Sequence, residues 1–102
     1  MTVSEVLSKY DIPKYTLAAL ADISPADLST YLRGGYVSGS RIARIERSAE
    51  ELRLCYERLE MMGRATGVYL SVRPKDVDSI RNFIRWIHER PEPEPAQQQV
   101  SA

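Results

Sequence analysis

Pro13 to Gly34, PKYTLAALADISPADLSTYLRG, reads as a short helix, a tight turn and a second short helix. Pro13 suits the first position of the first helix, and Leu17, Ala18 and Ala21 give it an apolar face whose small residues allow close packing. Asp22 tolerates the left-handed backbone of a turn. Ser24 supplies a side-chain cap, Pro25 fits the first turn of the second helix, Asp27 stands at the capping-box position, and Gly34 can end that helix with a left-handed residue. These signals set the helices at about 13–21 and about 25–33.

On the second helix Leu28 and Tyr31, with Leu32 beside them, form an inward stripe. Ala26, Ser29, Thr30 and Arg33 then point away. A major groove about 12 Å wide admits a helix only where its outer side chains let the backbone approach, and there hydroxyls, methyls and an arginine meet base edges. This face is small enough.

The segment resembles the helix-turn-helix of the lambda repressor and Cro family, the XRE-type regulators, in Leu17-Ala18, Ala21-Asp22-Ile23-Ser24-Pro25, Leu28-Ser29, Tyr31 and Gly34. The likeness covers roughly residues 4 to 59, because the family fold continues with further helices that Arg41 to Leu59 can supply. It implies sequence-specific binding of duplex DNA, with the helix from Pro25 in the major groove and the preceding helix across the backbone. It places Lys14 where the family contacts phosphate, and Pro25, Ala26, Ser29 and Thr30 where it meets bases. Asp22 stands in place of the usual turn glycine. Pro25-Ala26 replaces the amides or basic residues common at the start of a recognition helix, which shifts readout toward thymine methyls and DNA shape.

Beyond this segment, an earlier helix is expected from Ser4 to about Tyr10, and a loop carries Gly34-Gly35-Tyr36. Ser38 and Ser40 flank Gly39 as caps of a helical stretch from Ser40 to Met62, one long helix or two nearly continuous ones, closed by Gly63. Its apolar stripe is Ile42, Ile45, Ala49, Leu52, Tyr56 and Leu59, and its other faces pair Arg47 with Glu51 and Arg53 with Glu57. Arg41 and Arg44 lie in its first turns, where the helix dipole disfavours a cation unless an anion is near. A DNA phosphate would be that anion, and the start of this helix would also suit a phosphate. The expected DNA-facing set is therefore Lys14, Ser24, Pro25, Ala26, Ser29, Thr30, Arg33, Tyr36, Ser38, Ser40, Arg41 and Arg44.

Val68, Leu70 and Val72 alternate with Tyr69 and Ser71 as in a short strand. A lone strand leaves both edges unpaired, so a second copy is the expected partner. From Asp76 to Arg90, Val77, Ile80, Phe83, Ile84 and Ile87 recur at helical spacing, with Asp76 as cap. Val68, Leu70, Val72, Ile80, Phe83, Ile84 and Ile87 are the expected dimerisation residues. The organisation expected is a helix-turn-helix unit over 1–62, a strand-helix dimerisation element over 63–90 and a disordered, proline-rich tail over 91–102.

Length and composition narrow the function. A chain of 102 residues is one compact domain, and 43% hydrophobic with 27% charged residues is the balance of a folded, soluble protein. Fourteen basic and fourteen acidic residues cancel, so any affinity for nucleic acid must be local. No run approaches the roughly 18 apolar residues of a membrane span and no basic leader opens the chain, so a cytoplasmic location is expected. A single cysteine, Cys55, and a single histidine, His88, offer no disulfide, metal cluster or catalytic set, so no enzyme activity, cofactor or small-molecule substrate is expected. The expectation is a mainly α, homodimeric DNA-binding regulator, acting as a repressor, on an inverted repeat. Its rivals are a protein-interaction or antitoxin-like adaptor and a nonspecific architectural DNA binder.

Overall fold

The computed structural model describes residues 1–68, 72 and 76–90. Five helices follow one another: α1 (Val3–Lys9), α2 (Lys14–Ala21), α3 (Pro25–Leu32), α4 (Gly39–Thr66) and α5 (Val77–His88). Among the described residues there is no strand. Of the segment expected to form one, Val68 is exposed, and Val72 is half-buried with its carbonyl accepting a bond from Tyr56 Oη at 3.0 Å. Leu70 and the expected tail over 91–102 lie outside the described residues.

The first three helices are bounded by local hydrogen bonding. Thr2 and Glu5 form a capping box that starts α1, with Glu5 N–H donating to Thr2 Oγ1 at 3.1 Å and Thr2 N–H to Glu5 Oε1 at 2.7 Å. Each helix then ends in one motif, a left-handed residue followed by a backbone bond back over the last turn. Asp11 (φ 56°) precedes Ile12 N–H to Leu7 O at 2.9 Å, and Asp22 (φ 58°) precedes Ile23 N–H to Ala18 O at 3.0 Å. Gly34 (φ 81°) precedes Gly35 N–H to Thr30 O at 2.9 Å. A Cβ on Gly35 would stand 2.8 Å from Thr30 Cγ2 and 3.3 Å from Thr30 O, so any other residue there would have to displace the Thr30 methyl.

The long helix overruns its expected end. Gly63 is buried inside α4, which continues to a left-handed Gly67 (φ 77°). Burial of one face outweighs the modest helix penalty of a glycine. The start agrees with Ser38 as N-cap residue, but its hydroxyl makes no capping bond.

One hydrophobic core takes residues from all five helices, Val3 and Leu7 of α1 through Ile80 and Ile87 of α5. Helix α2 lies at its centre, against α3, α4 and α5, while α1 packs on α4. Tyr10, Tyr56 and Phe83 join α1, α4 and α5, with ring centroids 4.5 and 4.9 Å apart. The apolar face of α5, expected at a dimer interface, is spent within the chain: Ile80 and Ile87 are fully buried and Phe83 and Ile84 nearly so. An amphipathic pattern states that a face will be covered, not by what. Helix α5 therefore shares the core of the helices before it.

The centre of the core holds an unpaired hydroxyl. Thr16 is fully buried and its hydroxyl has no hydrogen-bond partner. Thr16→Val keeps the shape and removes the desolvated group, so it should raise unfolding stability by about 1 kcal/mol in urea titration. A loss of stability would show that the hydroxyl is satisfied in solution.

Burial also pushes the Tyr56 phenol up to about 12 and the Cys55 thiol up to about 11. Both groups ionise more easily once unfolded, near about 10 and about 8.5. Their neutral forms favour the folded chain, a contribution fully present below the unfolded values and lost as pH rises through the folded ones. Urea midpoints should therefore be insensitive to these groups near neutrality and decline between roughly pH 8.5 and 12.

Candidate nucleic-acid interface

Helix α3 is fastened by one side. Leu28 is fully buried, Tyr31 and Leu32 pack on the core, and Tyr31 Oη donates to Glu46 Oε2 of α4 at 2.9 Å. Burial is the larger cause that raises the Tyr31 phenol above its ordinary value, with the Glu46 contact adding to it. The start of α3 is fixed by Ser24, whose Oγ accepts Asp27 N–H at 3.1 Å. Opposite the buried side, Pro25, Ala26 and Arg33 are exposed and Ser29 and Thr30 half-buried.

Hydrogen bonding decides what that face can offer a base. The Ser24 hydroxyl is engaged by its cap, and Thr30 Oγ1 donates to Ala26 O at 3.0 Å. Arg33 Nη2 lies 3.5 Å from Thr30 Oγ1, a contact too long to immobilise the guanidinium. Small apolar surface at Pro25 and Ala26, the Ser29 hydroxyl and the Arg33 fork are what α3 presents.

Lys14 is the first residue of α2 and exposed. It lines the same groove as Ser29 and Arg33, a cleft of about 510 Å³ whose other wall is Ser4 and Ser8 of α1. The two serines were not legible as site residues, because nothing in their spacing indicates which neighbour α1 faces.

Arg41 and Arg44 differ from expectation. Arg41 Nε sits 3.3 Å from Asp27 Oδ2, and Arg44 Nη1 sits 3.9 Å from Asp22 Oδ2. The anions that offset these cations at the start of α4 come from the turn and first turn of the helix-turn-helix, so no phosphate is required to explain them. Asp27 takes part in the cap through its backbone while its carboxylate faces α4. Both pairs are solvent-exposed and worth tenths of a kcal/mol, weak enough to open for a stronger anion. Ser38 and Ser40 place their hydroxyl oxygens 3.4 Å apart at the same helix start. Tyr36 is 91% exposed, beside the buried Val37 that pins its loop.

The lone cysteine and histidine have ordinary surroundings. Cys55 is buried, and His88 Nε2 lies 3.5 Å from Glu51 Oε1. Among the described residues no three metal-ligating side chains gather, and no helix is long and apolar enough to cross a membrane. Comparison with protein-family models, curated proteins and solved structures finds no match to this chain.

The turn itself is open to test. Asp22 holds a left-handed backbone, and its carboxylate, 97% exposed, contributes little through Arg44. Asp22→Ala should cost about 1 kcal/mol, since alanine has no local compensation for φ > 0, whereas Asp22→Gly should match or exceed the parent. Equal midpoints for the two variants in thermal unfolding would show that handedness is not what Asp22 supplies.

Proposed function

We propose that this chain is a sequence-selective, duplex-DNA-binding regulator of the lambda repressor and Cro type, working as a homodimer on an inverted repeat. What supports this most is α3, a helix held by Leu28 alone at full burial, with small side chains on the face away from the core. That combination lets a helix backbone sink between phosphate ridges. The Arg33 fork then meets a base edge or phosphate, Ser29 adds a hydroxyl, and Pro25 and Ala26 touch thymine methyls. Lys14, on the same groove, contacts a phosphate from the start of α2.

The ion pairs set the electrostatic balance of this binding. To engage phosphate, Arg41 and Arg44 exchange Asp27 and Asp22 for DNA, so part of each gain is offset by the pair lost. With a formal net charge of zero there is little bulk attraction to add. Affinity on this account comes from fit more than from charge, and falls less steeply with salt than for a basic repressor.

Selection from random duplexes followed by fluorescence-anisotropy titration against salt tests the proposal. An inverted-repeat site is expected. Arg33→Glu should weaken binding to it more than about tenfold with the fold intact by circular dichroism. Asp27→Asn, which releases Arg41 while leaving the backbone cap in place, should tighten it. Equal affinity for unrelated duplexes would favour the architectural binder, and unchanged binding by Arg33→Glu would remove this face from the site.

A further inference from the structure

We propose that the groove between α1 and α3 binds a small phosphate monoester, which competes with DNA for Lys14 and Arg33. The groove holds about 510 Å³, within the range of small-ligand sites. Its lining has two kinds of surface. Lys14, Arg33 and the hydroxyls of Ser4, Ser8 and Ser29 make one, and the buried Leu7 and Ile12 belong to the other.

No carboxylate lines this groove. That separates its two cations from Arg41 and Arg44, each facing an aspartate, and from Arg53 and Arg64, each meeting a glutamate. The Arg33 fork approaches Thr30 Oγ1 at only 3.5 Å, too far to hold it away from a ligand. Two cations on one cleft with no acid on its walls attract an anion between them.

The donors specify which anion. A guanidinium offers paired N–H bonds, an ammonium three and each serine hydroxyl one, a set that exceeds the two oxygens of a carboxylate and suits a tetrahedral phosphate. A phosphate monoester carries about −1.5 to −2 charge at pH 7, which balances one lysine and one arginine. Its esterified group has Leu7 and Ile12 to lie against. A phosphodiester of the DNA backbone carries a single charge and brings no apolar substituent.

The competition rests on the proposed DNA binding. Lys14 and Arg33 both serve the duplex there, so an occupied groove takes two contacts from it.

Titration of the full chain without DNA, followed by amide chemical shifts, tests the site with phenyl phosphate, inorganic phosphate and benzoate at constant ionic strength. Phenyl phosphate should shift the amides of Ser8, Lys14 and Arg33 and bind more tightly than either of the others. Lys14→Gln and Arg33→Gln should each weaken its binding about tenfold with far-ultraviolet dichroism unchanged, while Arg64→Gln, outside the groove, should not. In fluorescence anisotropy, saturating phenyl phosphate should weaken duplex binding about tenfold beyond chloride of the same ionic strength. Unmoved amides, full binding by both Gln variants, or equal binding of benzoate or inorganic phosphate overturns the proposal. So does a duplex that moves these amides where phenyl phosphate does not, because the groove then serves the DNA backbone alone. Phenyl phosphate that binds without weakening the duplex overturns the competition, and phenyl phosphate bound by a chain that binds no duplex overturns the DNA reading and leaves the site.

Discussion

Helix α2 is enclosed on three sides, and the position of everything functional depends on how it packs. Thr16 and Leu17 are fully buried and Ala18 nearly so, against α3, α4 and α5. Truncating such a leucine typically costs 2–5 kcal/mol, a large share of the 5–15 kcal/mol that holds a domain of this size together. The alanines matter for the opposite reason: any larger side chain at 18 or 21 would push α3 or α4 outward. Since α3 has only Leu28 wholly inside, its orientation follows from α2 and from the left-handed turn between them.

That dependence explains why the surface charges are placed as they are. Asp22 and Asp27 flank the start of α3 and reach the arginines at the start of α4, while Tyr31 reaches Glu46 one turn further on. Each contact is weak where water competes. Together they set α3 against α4 where the core contributes little, at an edge that only side chains can bridge. An anion arriving at α3 meets cations that are already positioned but not strongly held.

Local features of the chain were legible and long-range ones were not. Ser24, Asp22 and Gly34 were readable because caps and left-handed turns are settled within five residues. Asp11-Ile12 repeats Asp22-Ile23, each a left-handed aspartate followed by an apolar residue that folds back on the helix, a pattern recognisable only once one copy is understood. The end of α4 was misplaced because Gly63 carries the same local signal as Gly67, and tertiary burial chose between them. The partners of Arg41, Arg44 and Tyr31 and the destination of the α5 face depend on packing between helices, about which spacing is silent.

Helix α4 is both part of the core and a rigid spacer. From Ser40 to Met62 it contains neither glycine nor proline, and Arg53 bridges Glu50 and Glu57 across two turns while Arg64 meets Glu60. Pairs of this kind each add tenths of a kcal/mol to helicity and together discourage bending. A helix that is stiff over this length fixes the distance between its first turn, where α3 is attached, and its middle, where Leu54 is exposed. Whatever binds at the middle therefore sets the position of α3 relative to itself without touching it, and a mobile linker in the same place would have no such effect.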